Sequence, residues 1–248
     1  MIKILTAPHT GLRRAANQDV CAGKALDGEL AYALVCDGMG GENGGAVASA
    51  TALEQIVKAV EQALRPGMEA RPLSGLMESA LLAANAAVCA RAKEDPALRG
   101  MGTTAVLTVV SRGVAHICHA GDSRAYLIRG GEASPLTRDH TVVQMLLDKG
   151  EITPAQALVH PERHYITRAV GVADRLSPEF GQVNLAGDDL LLLCSDGLYN
   201  MVDSGEFYEL ARRAMEQEDA GVFAHRANEM GGMDNITAVL LCSDSGWR

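Results

Sequence analysis

Six short apolar segments stand out along the chain, and each gives way to polar residues or glycine. They are rich in Val, Ile, Leu and Thr, a composition that at this length favours β-strands over helices. The sequence YLIRGGEASPL also predicts a hairpin that turns at Gly130-Gly131. The predicted strands are residues 32–36, 103–111, 114–120, 124–129, 190–195 and 236–242.

Longer stretches repeat apolar residues at the three- to four-residue spacing of an amphipathic helix. Residues 44–64 follow this pattern, and PLSGLMESALLAANAAVCARAKEDP (72–96) repeats it, with Ser74 as the expected N-cap. Strands therefore occur in consecutive groups and helices in pairs. This order predicts an α+β layered fold with antiparallel sheets, not an alternating βαβ fold. Further helices are expected at 141–149, 204–217 and 219–230.

Aspartates recur at the borders between predicted strands and loops. Any single Asp-Gly pair after an apolar run has a simple alternative explanation, because Asp-Gly is a favoured hairpin turn. The repetition favours a shared role, since strand ends of one sandwich can converge. The acids are Asp37 in CDGMGG, Asp122 in HAGDSRAY, Asp196 in CSDGLY, Asp234 in MGGMDNITAV, and Asp19 before the short segment VCAGKAL.

Carboxylates that converge repel each other unless cations neutralise them. The available ligands are all oxygen atoms, which suit Mg²⁺ or Mn²⁺ better than zinc. Glycines at 38, 40 and 41 permit a close backbone approach to such an ion. The segment GGENGG by itself is a weak phosphate-loop signal, because it lacks the Lys-Ser/Thr of a P-loop.

Length, net charge and the distribution of apolar residues and cysteines indicate which classes of protein this chain can belong to. The 248 residues contain no linker-like stretch, so a single domain spanning 1–248 is expected. The net charge of −9 argues against a nucleic-acid partner. No apolar run approaches the roughly 20 residues of a membrane span, and the N-terminal apolar stretch is too short for a signal peptide, so we expect a cytoplasmic location and no membrane partner. Most of the six cysteines lie in apolar runs and none is in a Cys-x-x-Cys pair, which predicts buried, reduced thiols.

Seven short motifs that follow one another along the chain are together far more specific than any one of them. In this order the chain resembles the metal-dependent PPM (type 2C) serine/threonine protein phosphatases in their bacterial form. The resemblance implies a four-layer αββα sandwich, with two central antiparallel sheets flanked by helix pairs. The motifs are RAANQD (14–19), DGMGG (37–41), GTTAV (102–106), AGDSRAYLIR (120–129), LTRDH (136–140), SDGL (195–198) and DN (234–235).

The resemblance also implies a manganese or magnesium centre with two core ions and a third, weaker one. When the family's metal-ligand roles are assigned to the matching motif residues of this chain, Asp37 bridges the two core ions and Gly38 offers its carbonyl. Asp196 and Asp234 bind the first ion, and Asp122 together with Asp196 holds the third.

Arg14 is the expected phosphate-binding residue, because a planar guanidinium can hold two phosphate oxygens. Its neighbour Arg13 is the alternative, and the spacing to NQD favours Arg14. Asp19 is expected to act through water from outside the ligand shell. Thr103, Thr104, Asp139 and His140 also match family motifs, with supporting roles only.

The implied reaction is hydrolysis of phosphoserine and phosphothreonine in proteins, by in-line attack of a metal-bridging hydroxide. A monomer that opposes a bacterial Ser/Thr kinase is expected. Two alternatives stay open: a phosphatase of small phosphorylated metabolites, and a catalytically silent binding module, which would lack one of the metal-binding acids. Residues 141–171 resemble the mobile flap beside the family's active site, which would help to select substrates.

Two positions depart from the family pattern. Gln18 replaces a Glu found in many relatives, so one anionic contact to the second ion becomes neutral. Met39 stands where eukaryotic members carry a histidine, which leaves the leaving-group acid unassigned, with a metal-bound water as the working interpretation. His116 and His119 are three apart in a strand, so they face opposite sides and cannot bind one ion together.

Overall fold

Two antiparallel β-sheets form the centre of the molecule in the computed structural model, which describes residues 1–27, 29–243 and 246–247. One sheet has the strand order β1-β11-β10-β7-β8, and the other has the order β2-β3-β5-β6-β9 with the short β4 paired to β3. The strands are β1 Ile2–His9, β2 Asp19–Ala25, β3 Leu30–Met39, β4 Gly102–Thr103, β5 Ala105–Ser111, β6 Val114–Ala120, β7 Arg124–Arg129, β8 Glu132–Pro135, β9 Glu179–Asn184, β10 Leu190–Cys194 and β11 Ile236–Ser243.

The inner strands are those with continuous apolar runs, and all six predicted strands are confirmed with small changes at their ends. The predicted strand 103–111 is interrupted at Thr104, which separates β4 from β5. The hairpin at Gly130-Gly131 is confirmed by the pairing of β7 with β8. Strands β1, β2 and β9 were not predicted, because each lies at a sheet edge and is only partly buried.

Side chains of β3 point alternately toward the helices and toward the other sheet, which explains how the layers pack. Tyr32, Leu34 and Cys36 pack against helices, whereas Ala33 and Val35 pack against the other sheet. Because successive strand residues point to opposite faces, this strand contributes to two cores at once. Asp37 continues the face of Val35 and therefore belongs to the space between the sheets.

Helices cover both outer faces and complete the four-layer αββα sandwich, so the predicted fold class is confirmed. Helices α1 and α2 pack on the sheet that contains β3, and α6 and α7 pack on the other sheet. The N-cap prediction for Ser74 is wrong, because α2 starts four residues earlier; the predicted helix 204–217 begins instead with a 3₁₀ turn. The helices are α1 Gly41–Ala63, α2 Ala70–Glu94, α3 Val142–Asp148, α4 Pro154–Leu158, α5 Asp196–Tyr199, α6 Phe207–Gln217 and α7 Gly221–Glu229.

Helix α2 is long and apolar enough to cross a bilayer by length and composition. Its apolar face is covered within the structure, since Leu73, Met77, Leu81 and Val88 are fully buried in the core that α2 shares with α1 and the underlying sheet. The helix is thus a core element of the sandwich.

The predicted flap, residues 141–171, begins and ends at anchored positions. Thr141 pairs with Ile166 and Thr103 pairs with Val170 through isolated antiparallel bridges. Between these anchors lie α3 and α4, and the latter was not predicted. Thr153 caps α4 in a reciprocal arrangement with Gln156, which explains how a five-residue helix forms here.

The structure describes all six cysteines, and none of them forms a disulfide. Cys36 and Cys118 are buried in the layer beneath α1 and α2, and Cys194 is buried beneath α6 and α7. Burial raises the pKa of Cys118 to about 12 and that of Cys194 to about 12. The predicted burial is confirmed for these three and for Cys242, but it is wrong for Cys21 and Cys89, which are only partly buried.

Candidate metal centre

The predicted acids meet at one end of the sandwich. Asp37 lies near the end of β3, and Asp122 lies in the loop between β6 and β7. Asp196 opens α5 directly after β10, and Asp234 precedes β11, so these two acids come from the other sheet. Together with Gly38 they line one cavity of about 1230 Å³.

The carboxylates strongly perturb one another. Burial and the charges of Asp19 and Asp196 raise the pKa of Asp37 well above its ordinary value. Burial and the charges of Asp122 and Asp234 raise the pKa of Asp196 to about 8. Like charges held this close favour the uptake of cations or protons. An all-oxygen donor set of this kind fits a hard divalent cation.

Asp19 lies behind the cavity rather than in its lining. It is directly opposite Asp37 in the register of β2 and β3. Its Oδ2 accepts a 2.6 Å hydrogen bond from the Ser195 hydroxyl, while its buried Oδ1 has no partner among the described residues. Burial raises the pKa of Asp19 to about 6. An orphaned carboxylate oxygen beside the cluster supports the predicted position of Asp19 outside the ligand shell.

Two threonines hold the backbone of Asp37. The Thr104 hydroxyl accepts a 2.9 Å hydrogen bond from the Asp37 amide, and the Asp37 carbonyl accepts bonds of 2.8 Å from the Thr104 amide and from the Thr103 hydroxyl. The motif GTTAV therefore fixes the end of β3. Sequence reasoning had assigned these threonines only a general supporting role.

Gly38 is in very close contact with neighbouring backbone. A Cβ at this position would lie 2.1 Å from the Gly45 carbonyl oxygen and 2.7 Å from the Gln18 carbonyl oxygen. Only glycine fits between these groups. The Gln18 side-chain Nε2 donates a 2.8 Å hydrogen bond to the Gly41 carbonyl, and Met39 contributes an apolar side chain to the cavity wall.

The position of Asp122 is fixed by Tyr199, which is itself packed against an arginine–aspartate ion pair. The Tyr199 hydroxyl donates to the Asp122 carbonyl at 3.0 Å. The Arg124 guanidinium lies 3.6 Å above the centre of the Tyr199 ring and makes two hydrogen bonds, of 2.9 and 2.7 Å, to Asp139. Asp139 thus has a structural role, which the LTRDH motif alone did not reveal.

Arg14 lies at the rim of the cavity and is half-exposed. Its Nη2 donates to Asp234 Oδ2 at 2.7 Å, and this bond raises the pKa of Arg14. Arg13 is exposed and is not part of the cavity lining. The geometry therefore supports Arg14 over Arg13 as the anion-binding residue.

Asn235 holds the Arg14 loop in place, a role that the sequence analysis did not assign to it. Its Oδ1 accepts a 2.8 Å hydrogen bond from the backbone amide of Gln18, and its Nδ2 donates to the carbonyls of Thr10 and Ala16 at 2.9 Å. It therefore holds the loop that carries Arg14 against the acids. The motif DN was a signal, but only its aspartate had an assigned role.

His119, His140 and Glu179 bring three ligand-type atoms within 4.8 Å of one another. The two rings stack in parallel at 4.7 Å, so their lone pairs do not converge on one ion. The Gly121 amide donates to His140 Nδ1 at 3.1 Å, which places the ring proton on Nε2, 3.1 Å from Glu179. Burial lowers the pKa of His140 and favours this neutral ring. His119 does not bond to either of the other two groups: its ring stacks on His140, and its Nε2 lies 2.9 Å from the Arg138 carbonyl. His116 is not part of the group, as the strand alternation predicted.

Residues 12–229 match the protein phosphatase 2C family. The chain belongs to that family. It is 35% identical over 242 residues to the protein phosphatase PhpP of Streptococcus pneumoniae, covering 97% of this chain and 96% of PhpP. It is also 35% identical over 209 residues to the serine/threonine phosphatase stp of Listeria innocua, covering 84% of this chain and 82% of stp.

Solved structures of the family share the same fold. The Mycobacterium tuberculosis serine/threonine phosphatase PstP/Ppp superposes with a TM-score of 0.86 at 33% identity, covering 97% of this chain and 98% of that one. The catalytic domain of PstP in complex with two manganese ions superposes with a TM-score of 0.84 at 32% identity, covering 100% of this chain and 99% of that one. Metal dependence is a property of the family to which this chain belongs.

Proposed function

We propose that the protein hydrolyses phosphoserine and phosphothreonine side chains of proteins in a metal-dependent reaction. The observation that carries this proposal is the convergence of Asp37, Asp122, Asp196 and Asp234 with Arg14 around one cavity. The carboxylates provide the negative charge that binds divalent cations, and the arginine provides a fork for phosphate oxygens. The names of the bacterial relatives, which are serine/threonine phosphatases, support the same substrate class.

The donor set supports Mn²⁺ or Mg²⁺ as the cofactor. Asp37, the Gly38 carbonyl, Asp196 and Asp234 would hold two core ions, and Asp122 with Asp196 would hold a third. Bound there, such ions activate water and neutralise the charge of the phosphoryl group.

The chain's own residues then have separate tasks. Arg14 uses one nitrogen to bind Asp234, which leaves the rest of its guanidinium for phosphoryl oxygens. Thr103 and Thr104 keep the backbone of Asp37 fixed, so that its carboxylate does not have to be reordered during the reaction. Asn235 keeps Arg14 and the acids in register.

The biological setting is part of the proposal. A bacterial Ser/Thr kinase would supply the phosphorylated proteins, and we expect the phosphatase to act as a monomer in the cytoplasm. Light scattering during size-exclusion chromatography would test the oligomeric state, and a dimer at micromolar concentration would contradict it.

Metal removal tests the proposed activity. Protein stripped with a chelator should hydrolyse neither an aryl phosphate nor a phosphothreonine peptide until Mn²⁺ or Mg²⁺ is returned. Full activity in chelator, or recovery with zinc alone, would contradict the proposed centre. Activity on small phosphorylated metabolites with none on phosphopeptides would contradict the proposed substrate class.

A further inference from the structure

A second arginine lines the cavity without a close anionic partner. Arg168 lies near the C-terminal end of the flap, between the anchored residues Ile166 and Val170, and its side chain is 38% exposed. Among the residues that the structure describes, its nearest acidic group is Glu179, with 4.0 Å between Nη1 and Oε2. Arg14, the other cavity arginine, has its acid at 2.7 Å.

The close neighbour of Arg168 is His140, and that contact does not satisfy the guanidinium. Nη1 of Arg168 lies 2.9 Å from Nε2 of His140. Because the Gly121 amide donates to Nδ1, the neutral ring carries its proton on Nε2. That proton is directed to Glu179 at 3.1 Å, so Arg168 faces a donor rather than an acceptor.

The surrounding contacts nevertheless fix the position of Arg168. The adjacent Thr167 amide donates to the His140 carbonyl at 2.8 Å, and Val170 pairs with Thr103. His140 is buried and also donates its own amide to the Gly121 carbonyl at 3.1 Å. A guanidinium with spare donors is thus held on a rigid part of the cavity wall.

We propose that Arg168 binds a second anionic group of the substrate, next to the phosphate that is hydrolysed. This inference rests on the proposed phosphatase function and adds a substrate preference to it. The group is either a carboxylate side chain or a second phosphate, since both accept two hydrogen bonds from a guanidinium. Phosphorylated segments that are acidic or carry two phosphates near each other are therefore the preferred substrates.

Four substrates test the preference: an aryl phosphate, a phosphothreonine peptide with neutral neighbours, the same peptide with flanking glutamates, and the same peptide with a second phosphothreonine. Arg168→Gln should raise KM for one or both anionic peptides about tenfold, the equivalent of one charge-assisted hydrogen bond. The aryl phosphate and the neutral peptide should change less than twofold. Arg168→Lys should recover part of the loss, because it keeps the charge but not the fork.

Arg175→Gln is the matched control, because Arg175 is exposed and is not part of the cavity lining. A loss confined to the doubly phosphorylated peptide identifies phosphate as the second group, and a loss on the glutamate peptide identifies carboxylate. Equal loss on all four substrates, or no loss on either anionic peptide, would overturn the proposal. Failure of the proposed function itself would look different, since the unmodified protein would then be inactive on every phosphopeptide.

Discussion

The stability of the metal-free protein should fall as pH rises, because the site concentrates carboxylates. The pKa of Asp196 is raised from 3.8 to about 8 in the folded protein. Because the pKa of Asp196 is higher in the folded protein than in the unfolded chain, the protonated form of this acid stabilises the folded state. Its contribution is complete below about pH 4 and is lost as pH rises through about 8. Bound divalent cations should remove this dependence by neutralising the ionised acids.

The size of the effect follows from the same shift. Moving one carboxyl pKa from 3.8 to about 8 corresponds to on the order of 5 kcal/mol of unfolding free energy at high pH. Asp196 lines an open cavity, so solvent screening reduces this figure, and we take about half of it. For a chain of this length 1 kcal/mol shifts the melting temperature by about 2–4 °C. About three of the four pKa units between 3.8 and about 8 lie above pH 5, so a decrease of roughly 4–8 °C between pH 5 and pH 9 is expected.

Differential scanning calorimetry across this pH range, with chelator and with excess Mn²⁺, would measure the effect. Asp196→Asn should flatten the pH dependence of the chelated protein, whereas Asp188→Asn, at an exposed acid, should leave it unchanged. A chelated protein whose melting temperature is constant or rises over pH 5–9 would show that the acids do not repel as the structure indicates.

Three further predictions concern individual residues of the centre. Asp37→Ala should lower activity by three or more decades, on the order of 4 kcal/mol in barrier height, whereas Asp122→Ala should keep two tightly bound ions by calorimetry yet turn over poorly; the reverse pattern of ion loss would refute the ligand assignment. Arg14→Ala should weaken substrate use with metal affinity nearly unchanged, and Arg14→Lys should recover only part; a larger effect of Arg13→Ala would transfer the role to that residue. Gly38→Ala should destabilise the protein by about 3 kcal/mol or more in chemical denaturation, since its Cβ would lie 2.1 Å from a backbone oxygen; an unchanged midpoint would contradict this packing.

The inner part of the fold could be predicted because its strands are continuous apolar runs. β10 is almost entirely Leu, and no other element suits such a short buried segment. β9 alternates polar and half-buried residues at the edge of a sheet, so its sequence resembles that of a loop. Its position depends on pairing with β6, a contact that residue patterns do not encode.

The acids of the site could be predicted for a related reason. A carboxylate that follows an apolar strand is unusual enough to be noticed in the sequence. Arg168, Thr104 and Asn235 gave no such signal, because their importance depends on residues distant along the chain. Arginine, threonine and asparagine are common in loops, and only the folded geometry distinguishes these three from others of their type.

The burial of the thiols also has a consequence for how the enzyme tolerates oxidants. Cys36 directly precedes Asp37, and Cys194 lies two residues before Asp196, yet both sulfur atoms are directed into helix-covered layers away from the cavity. Peroxide and alkylating reagents attack the thiolate, and with a pKa of about 12 Cys194 provides almost none at neutral pH. We therefore expect these two thiols, despite their nearness in sequence to the acids, to resist the reagents that inactivate a phosphatase with a cysteine nucleophile.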